Sequence, residues 1–397
     1  MQATASAKKP NLLSWWDHGE KLIDISDYQF LAKRRLPKFL FDFLEGDAED
    51  GFARSNNAQS LNKVQLLPQR LVDVGEVQTN VDFWHERASM PLVLAPTALT
   101  RMFHHQGELA VARAAEKQSV PYVLSTMSSV ALEDVYAANP NTWFQLYAYR
   151  DRAISQRLIE RVVEQQGKVL CVTLDAFEGG NRQADRRNGL RLPFKASLKH
   201  ITDAARSPKW SADYLRGEPI NLANMKEVQA QADGTSLFEY VASQMNPSLT
   251  WDDIHWIRDS FPGKVILKGL LHPQDVLKAK ALGVDGVVLS NHGGRQLDHS
   301  ISGFQALQLL PAGLSNDIKV FVDGEIRRGT DIVKAMCLGA AGCLVGRPYL
   351  YGLAAHGQPG VEAVLDIFNS ELVRNLKLIG CASVSELNAG LVMARET

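Results

Sequence analysis

The chain has 397 residues, 45% of them apolar and 22% charged, with a formal net charge of −1. That length allows one large or two medium domains around a sizeable buried core. The near-neutral balance and the lack of any Lys/Arg run argue against nucleic acid or another polyanion as partner.

The opening stretch MQATASAKKPNLLSWWDHGEKL has no apolar h-region and no cleavage signature, so residues 1–25 are expected to be an extension ahead of the fold. No run approaches the roughly 18 apolar residues that span a bilayer. Cys171, Cys337, Cys343 and Cys381 show no C-x-x-C spacing and read as reduced core thiols. A cytoplasmic protein is expected, with peripheral contact at the inner membrane face left open.

Residues 26–45 read as one or two amphipathic helices. From residue 91 onward, apolar strand-like runs alternate with helical segments. The runs are PLVLAPTA (91–98), PYVLSTMS (121–128), TWFQLYAY (142–149) and VLCVTLDA (169–176). After a long interruption come KVILKGL (264–270), DGVVLSN (285–291), KVFVDGE (319–325) and GCLVGRP (342–348). Between them, GELAVARAAEKQ, DRAISQRLIERVVEQQ, WDDIHWIRDSF, PQDVLKAKALG and TDIVKAMCLGA predict helices. Continuous apolar strands alternating with helices imply a parallel sheet buried on both faces. Eight such units predict a (β/α)8 TIM barrel with an N-terminal helical cover, one domain over residues 26–397. No G-x-G-x-x-G follows an early strand, which counts against a dinucleotide fold. The interruption over 177–250 is too long for an ordinary loop and follows strand 4 on the active-site face, so it is expected to be a lid or acceptor-docking segment.

Barrel sites are built at the C-terminal ends of strands. Those ends carry Pro96, Thr97 and Ala98, then Ser125, then Gln145 and Tyr147, then Thr173 and Asp175 followed by Arg182. The second half adds Lys268, His292, Arg295, Asp323, Gly324, Arg327, Gly346 and Arg347. The last five come from the ends of strands 7 and 8 and the loops after them, where barrels often hold a phosphate on backbone N–H groups, and Arg327 and Arg347 add charge. His292 sits in a Gly-flanked turn with Arg295 three residues on, and Asp175 is available to orient its imidazole. A buried Lys268 requires an anionic partner. Together these describe a carboxylate pocket, a histidine as proton acceptor, and a cation beside an electron-accepting ring. Such a set suits oxidation of a 2-hydroxy acid, by Cα proton removal or by hydride transfer.

The chain resembles the FMN-dependent 2-hydroxy acid oxidases and dehydrogenases, the family of glycolate oxidase, lactate oxidase, lactate monooxygenase and mandelate dehydrogenase. The resemblance rests on SNHGGRQLD at 290–298, with LPKFLFDFLEGDAED, APTAL, WFQLYAY, VTLDA, ILKGL and LVGRP in family order. PKWSADYLRGEPINLANM is most like the mandelate and lactate dehydrogenases. The resemblance implies His292 as base, Asp175 as its partner, and Arg182 and Arg295 on the substrate carboxylate. It puts Tyr147 near the substrate oxygen and Lys268 beside the flavin N1/O2 edge. Pro96, Thr97, Ala98, Ser125, Gln145 and Thr173 fall at the FMN ring, and Asp323, Gly324, Arg327, Gly346 and Arg347 at its ribityl and phosphate end. It also implies a homotetramer, and oxygen or a quinone or cytochrome as acceptor, with Ala98 favouring oxygen. No metal is implied.

Two positions depart from the pattern. Phe43 stands where the family usually places a carboxylate-binding tyrosine, a loss of about 0.5–1.5 kcal/mol. Glu325 replaces a usual glycine, so it either repels the FMN phosphate or turns to pair with an arginine, with backbone strain if φ is positive. Met127 and Gly179 leave room for a larger, mandelate-like substrate. Alternatives are a flavin oxidase of non-standard substrate, a catalytically silent flavin-binding scaffold, and a phosphosugar-type barrel.

Overall fold

The structure, a computed structural model, describes residues 22–84, 86–190, 196–231 and 236–394. Most of the expected N-terminal extension lies outside these residues. Eight parallel strands form the centre: β1 (Leu92–Leu94), β2 (Val123–Ser125), β3 (Trp143–Tyr147), β4 (Val169–Thr173), β5 (Lys264–Leu270), β6 (Gly286–Leu289), β7 (Lys319–Asp323) and β8 (Gly342–Val345). Their order is β1-β8-β7-β6-β5-β4-β3-β2, and a bridge from Leu94 to Tyr122 closes the ring. This is the expected TIM barrel. Every strand except β5 stops earlier than its apolar run, because the run's last residues turn out of the sheet to carry polar side chains over the barrel mouth.

The barrel interior is packed rather than hollow. Val93, Val123, Trp143, Cys171, Ile266, Val288, Phe321 and Leu344 fill it, all at or below 1% exposure. A hairpin of Val81–Phe83 and Glu86–Ala88 plugs the N-terminal end. Its Phe83 ring lies 6.0 Å from Trp143 and 5.3 Å from Phe321, and Trp84 lies 5.8 Å from Trp143. All four cysteines are buried and unpaired.

The helical cover is two helices, not one. α1 (Ile25–Arg35) starts at a capping box formed by Asp24 and Asp27. It ends where Leu36, preceding Pro37, takes an extended backbone at ψ 146°. α2 (Lys38–Glu45) buries Phe39, Leu40 and Leu44 and carries Phe43 over the barrel mouth. α3 (Phe52–Asn62) follows, its N-terminus capped by Asp298, which accepts from the N–H groups of Asp50, Phe52 and Ala53 at 3.1, 3.3 and 2.7 Å. The last residue of SNHGGRQLD therefore fixes a neighbouring helix.

The 177–250 segment holds short helices at Gln183–Asn188, Leu198–Ala205, Pro208–Arg216 and Leu237–Ser243, and a 3-10 stretch at Ala223–Gln231. Its Val241, Ala242 and Met245 reach the cavity at the barrel mouth. Among the described residues, no helix is long and apolar enough to cross a membrane.

Candidate active site

A cavity of about 370 Å³ opens at the C-terminal ends of the strands. It is lined by every site residue expected from the sequence except Asp175, which stands directly behind His292. The strand register explains the convergence: Ser125 is paired with Gln145, and Tyr147, Thr173 and Lys268 lie side by side across β3, β4 and β5.

His292 Nδ1 lies 3.0 Å from Asp175 Oδ1. Burial alone would raise the Asp175 pKa, but the charges of His292 and Lys268 and the His292 hydrogen bond hold it below the ordinary carboxylate range. An ionised Asp175 accepts from Nδ1–H, which leaves Nε2 of a neutral imidazole free as a proton acceptor. Gly269 makes room for this carboxylate: its φ is +103°, and a Cβ there would lie 2.6 Å from Asp175 Cγ. That explains the glycine in ILKGL and the register shift between Lys268 and Leu270.

Lys268 is 3% exposed and finds the anion its burial requires. Its Nζ lies 3.1 Å from Asp323 Oδ2 and 2.9 Å from Ser290 Oγ, and Ser290 donates in turn to Asp323 at 2.7 Å. Burial disfavours the ammonium, yet Asp323 and Asp175 overcome this and raise its pKa, so Lys268 is a fixed cation facing the cavity. Burial, with the Asp175 charge, pushes the Tyr147 hydroxyl up to about 12, which keeps it a donor at neutral pH.

Arg295 donates from Nη1 to the carbonyls of Phe43 at 2.9 Å and Gly46 at 2.6 Å, and its guanidinium lies 5.3 Å from the Phe43 ring centroid. Burial and the nearby cations Arg182 and Arg347 push its pKa down to about 9. A cation so crowded calls for an anion. Arg182, held near Asp185 at 3.6 Å, is the second arginine at this end. The facing wall is apolar: Phe43, stacked on Phe103 with centroids 6.4 Å apart, then Met127, Val241 and Met245. A Cβ on Gly179 would meet nothing within 4 Å, so this side has spare space.

The middle of the cavity carries polar atoms waiting for partners. Gln145 Nε2 and Thr173 Oγ1 are buried without one, while Ser125 Oγ donates to Gln145 Oε1 at 3.1 Å. Thr97 is bonded to Tyr349, and Pro96 and Ala98 line the same wall. Unpaired donors and acceptors at this depth fit the polar edge of a flavin ring. The far end holds Gly324, Arg327, Gly346 and Arg347, with a helix starting at Arg347 (Arg347–His356). There the structure answers the question raised by Glu325. It adopts φ 56° and pairs with Arg327 and Arg347, both at 3.0 Å, and with Arg54 at 3.3 Å.

Arg54, on α3, had drawn no notice in the sequence. Its only signal there was a lone basic residue after the acidic run EGDAED. Phe103, Val241 and Met245 were missed too, since apolar wall residues look like any other core residue.

These features define a barrel oxidoreductase built around a flavin and a carboxylate-bearing substrate. The model of the FMN-dependent dehydrogenase family matches residues 32–394, and the chain belongs to that family. It is 38% identical over 371 residues to the (S)-mandelate dehydrogenase of Pseudomonas putida, covering 93% of each chain. It is 39% identical over 368 residues to an L-lactate dehydrogenase of Allorhizobium ampelinum, covering 91% of this chain and 96% of the relative. Among solved structures, the monotopic membrane protein (S)-mandelate dehydrogenase superposes with a TM-score of 0.89 at 37% identity, over 94% of this chain and 100% of that one. Mandelate oxidase with (S)-4-hydroxymandelic acid gives 0.79 at 36% identity, over 91% and 96%. The protein is thus an FMN-dependent enzyme of 2-hydroxy acid oxidation, and neither the silent scaffold nor the phosphosugar reading is favoured.

Proposed function

We propose that this enzyme oxidises an (S)-2-hydroxy acid with a mandelate-sized, apolar side chain to the 2-oxo acid, with His292 as base. The observation that carries the reading is the His292–Asp175 pair opening onto a cavity with arginines at one end and an apolar wall beside them. Arg295 and Arg182 grip the substrate carboxylate, and Tyr147 donates to the carbinol oxygen. His292 Nε2 takes the substrate's proton, and Asp175 stabilises the imidazolium that results. Pro96, Thr97, Ala98, Ser125, Gln145, Thr173 and Lys268 would hold the FMN ring, and Asp323, Gly324, Arg327, Gly346 and Arg347 its tail. When bound, FMN supplies the two-electron acceptor. Met127, Phe103, Val241 and the space at Gly179 take the side chain, and the 177–250 segment serves as lid.

Mixing the flavoprotein anaerobically with a panel of (S)-2-hydroxy acids tests this. Mandelate and similar acids should bleach the flavin faster than glycolate or lactate, and a flavin that no acid bleaches ends the proposal.

The electron acceptor we assign is a membrane quinone, against the hint from Ala98. Leu198, Ile201, Tyr214 and Leu215 are 78%, 59%, 48% and 82% exposed on two neighbouring helices, beside the exposed Lys199, Arg206 and Arg216. An apolar patch with a basic rim suits peripheral contact with an anionic bilayer. Admitting air to the bleached enzyme should recolour it slowly, and a soluble quinone should do so quickly. The homotetramer of the family completes the reading and is checked by light scattering.

A further inference from the structure

The phosphate end of the cavity contains its own anion. Arg327 and Arg347 come from the loops after β7 and β8, and each has a guanidinium nitrogen 3.0 Å from the Glu325 carboxylate. Arg54 reaches the same carboxylate at 3.3 Å from α3. It is brought there by close backbone contact: a Cβ on Gly294 would sit 2.6 Å from the Arg54 nitrogen. Glu325 holds a left-handed backbone, φ 56°, which a glycine adopts without strain. The position thus keeps the main-chain shape of a phosphate loop while placing a carboxylate where a phosphate would find its donors.

We propose that Glu325 is a resident counter-anion of the flavin-phosphate subsite, displaced toward Arg54 when the phosphate enters, so that this chain prefers FMN over dephosphorylated flavin only narrowly. Phosphate and Glu325 compete for the same N–H groups of Arg327 and Arg347. Arg54 is the one cation of the three that could keep Glu325 once the other two turn to phosphate. Its hold is partial, because Glu45 already takes Arg54 through its carboxylate and through its carbonyl at 2.7 Å. Burial disfavours charge on Glu325, yet the three arginines bring its pKa down to about 2, so it enters this competition ionised. The inference rests on the family's FMN and on nothing about the substrate.

The test titrates flavin-stripped, full-length protein with FMN and with riboflavin, following the quenching of flavin fluorescence. No substrate is present, so this result and the substrate reading fail independently. A charged hydrogen-bond partner gained or lost corresponds to about 10- to 100-fold in Kd. E325G should therefore tighten FMN by at least about tenfold while moving riboflavin by less than about threefold. R54L should weaken FMN by at least about tenfold with riboflavin unmoved, and in the E325G background its effect should nearly vanish. If E325G leaves FMN binding unchanged or weaker, the resident counter-anion is wrong. If R54L weakens both flavins alike, Arg54 is a structural prop and its part falls.

Discussion

His292 adopts a left-handed backbone at φ 59°, followed by Gly293 and Gly294 at 66° and 77°. A non-glycine residue there costs about 1–2 kcal/mol. The turn is held by Ser290 Oγ, accepting from the His292 N–H at 3.0 Å, and by a reciprocal pair between Asn291 and Asn57. The reading of His292 as base predicts that His292→Gln lowers the rate of flavin reduction by about 10²–10⁴-fold in stopped-flow. FMN should remain bound, since His292 makes no contact at the phosphate end. Phe43→Tyr tests the substrate side. If its hydroxyl restores a carboxylate bond of about 0.5–1.5 kcal/mol, KM for small hydroxy acids should fall about two- to tenfold. An unchanged KM would mean that the Arg295–Phe43 contact has replaced that bond. Glu325 gives a pH prediction for the flavin-free protein. Its folded pKa, about 2, lies below the unfolded value near 4.5. The stability it contributes is present above pH ~4.5, amounts to roughly 3 kcal/mol, and is lost as pH falls toward 2. Denaturant midpoints of wild type and Glu325→Gln should therefore converge as the solution is acidified over that window, with Arg54, Arg327 and Arg347 facing the group in both.

At the level of elements, the parts of the site legible in the sequence were those on strand ends. An apolar run is visible by itself, and the polar residue that ends it must face the barrel mouth. Hence Gln145, Thr173, Lys268 and His292 could be placed from periodicity, and the named resemblance supplied their roles. What stayed hidden depends on contacts between distant segments. Arg54 lies 271 residues from Glu325, and nothing in the local pattern of α3 marks it as a partner. The strand boundaries were overextended for a related reason, since residues such as Pro96 and Asp175 continue an apolar run in sequence while leaving the sheet. Two glycines tie element to function. Gly180 has no room for a Cβ, which would lie 2.1 Å from the Arg295 carbonyl. Gly269 is similarly closed by Asp175. Gly269→Ala must push Asp175 away from His292, because its φ of +103° prevents the backbone from yielding cheaply. The expected result is a fall in the flavin-reduction rate of at least about tenfold, with the loss in kcat rather than KM. Equal losses in both would point to general disorder of the mouth.

On the scale of the whole molecule, the barrel separates stability from chemistry. The N-terminal end is closed by Phe83, Trp84, Trp143 and Phe321, and the C-terminal end carries the charged groups. The segment after β4 adds a third face, since its Val241 and Met245 line the cavity while Leu198, Ile201 and Leu215 point to solvent. One insertion therefore touches both the cavity wall assigned to the substrate's side chain and the surface assigned to the membrane. If that surface meets a bilayer, replacing Leu198 and Leu215 by Glu removes buried apolar area and places two negative charges against anionic headgroups. Each leucine is worth about 1.5–3 kcal/mol on full burial, so the double variant should lose at least tenfold in co-sedimentation with vesicles containing anionic lipid. Neither side chain lines the cavity, so anaerobic flavin reduction by substrate should be unchanged while turnover with a membrane quinone falls. Vesicle binding that survives both substitutions would remove the membrane assignment and return oxygen, the acceptor that Ala98 favours, to first place.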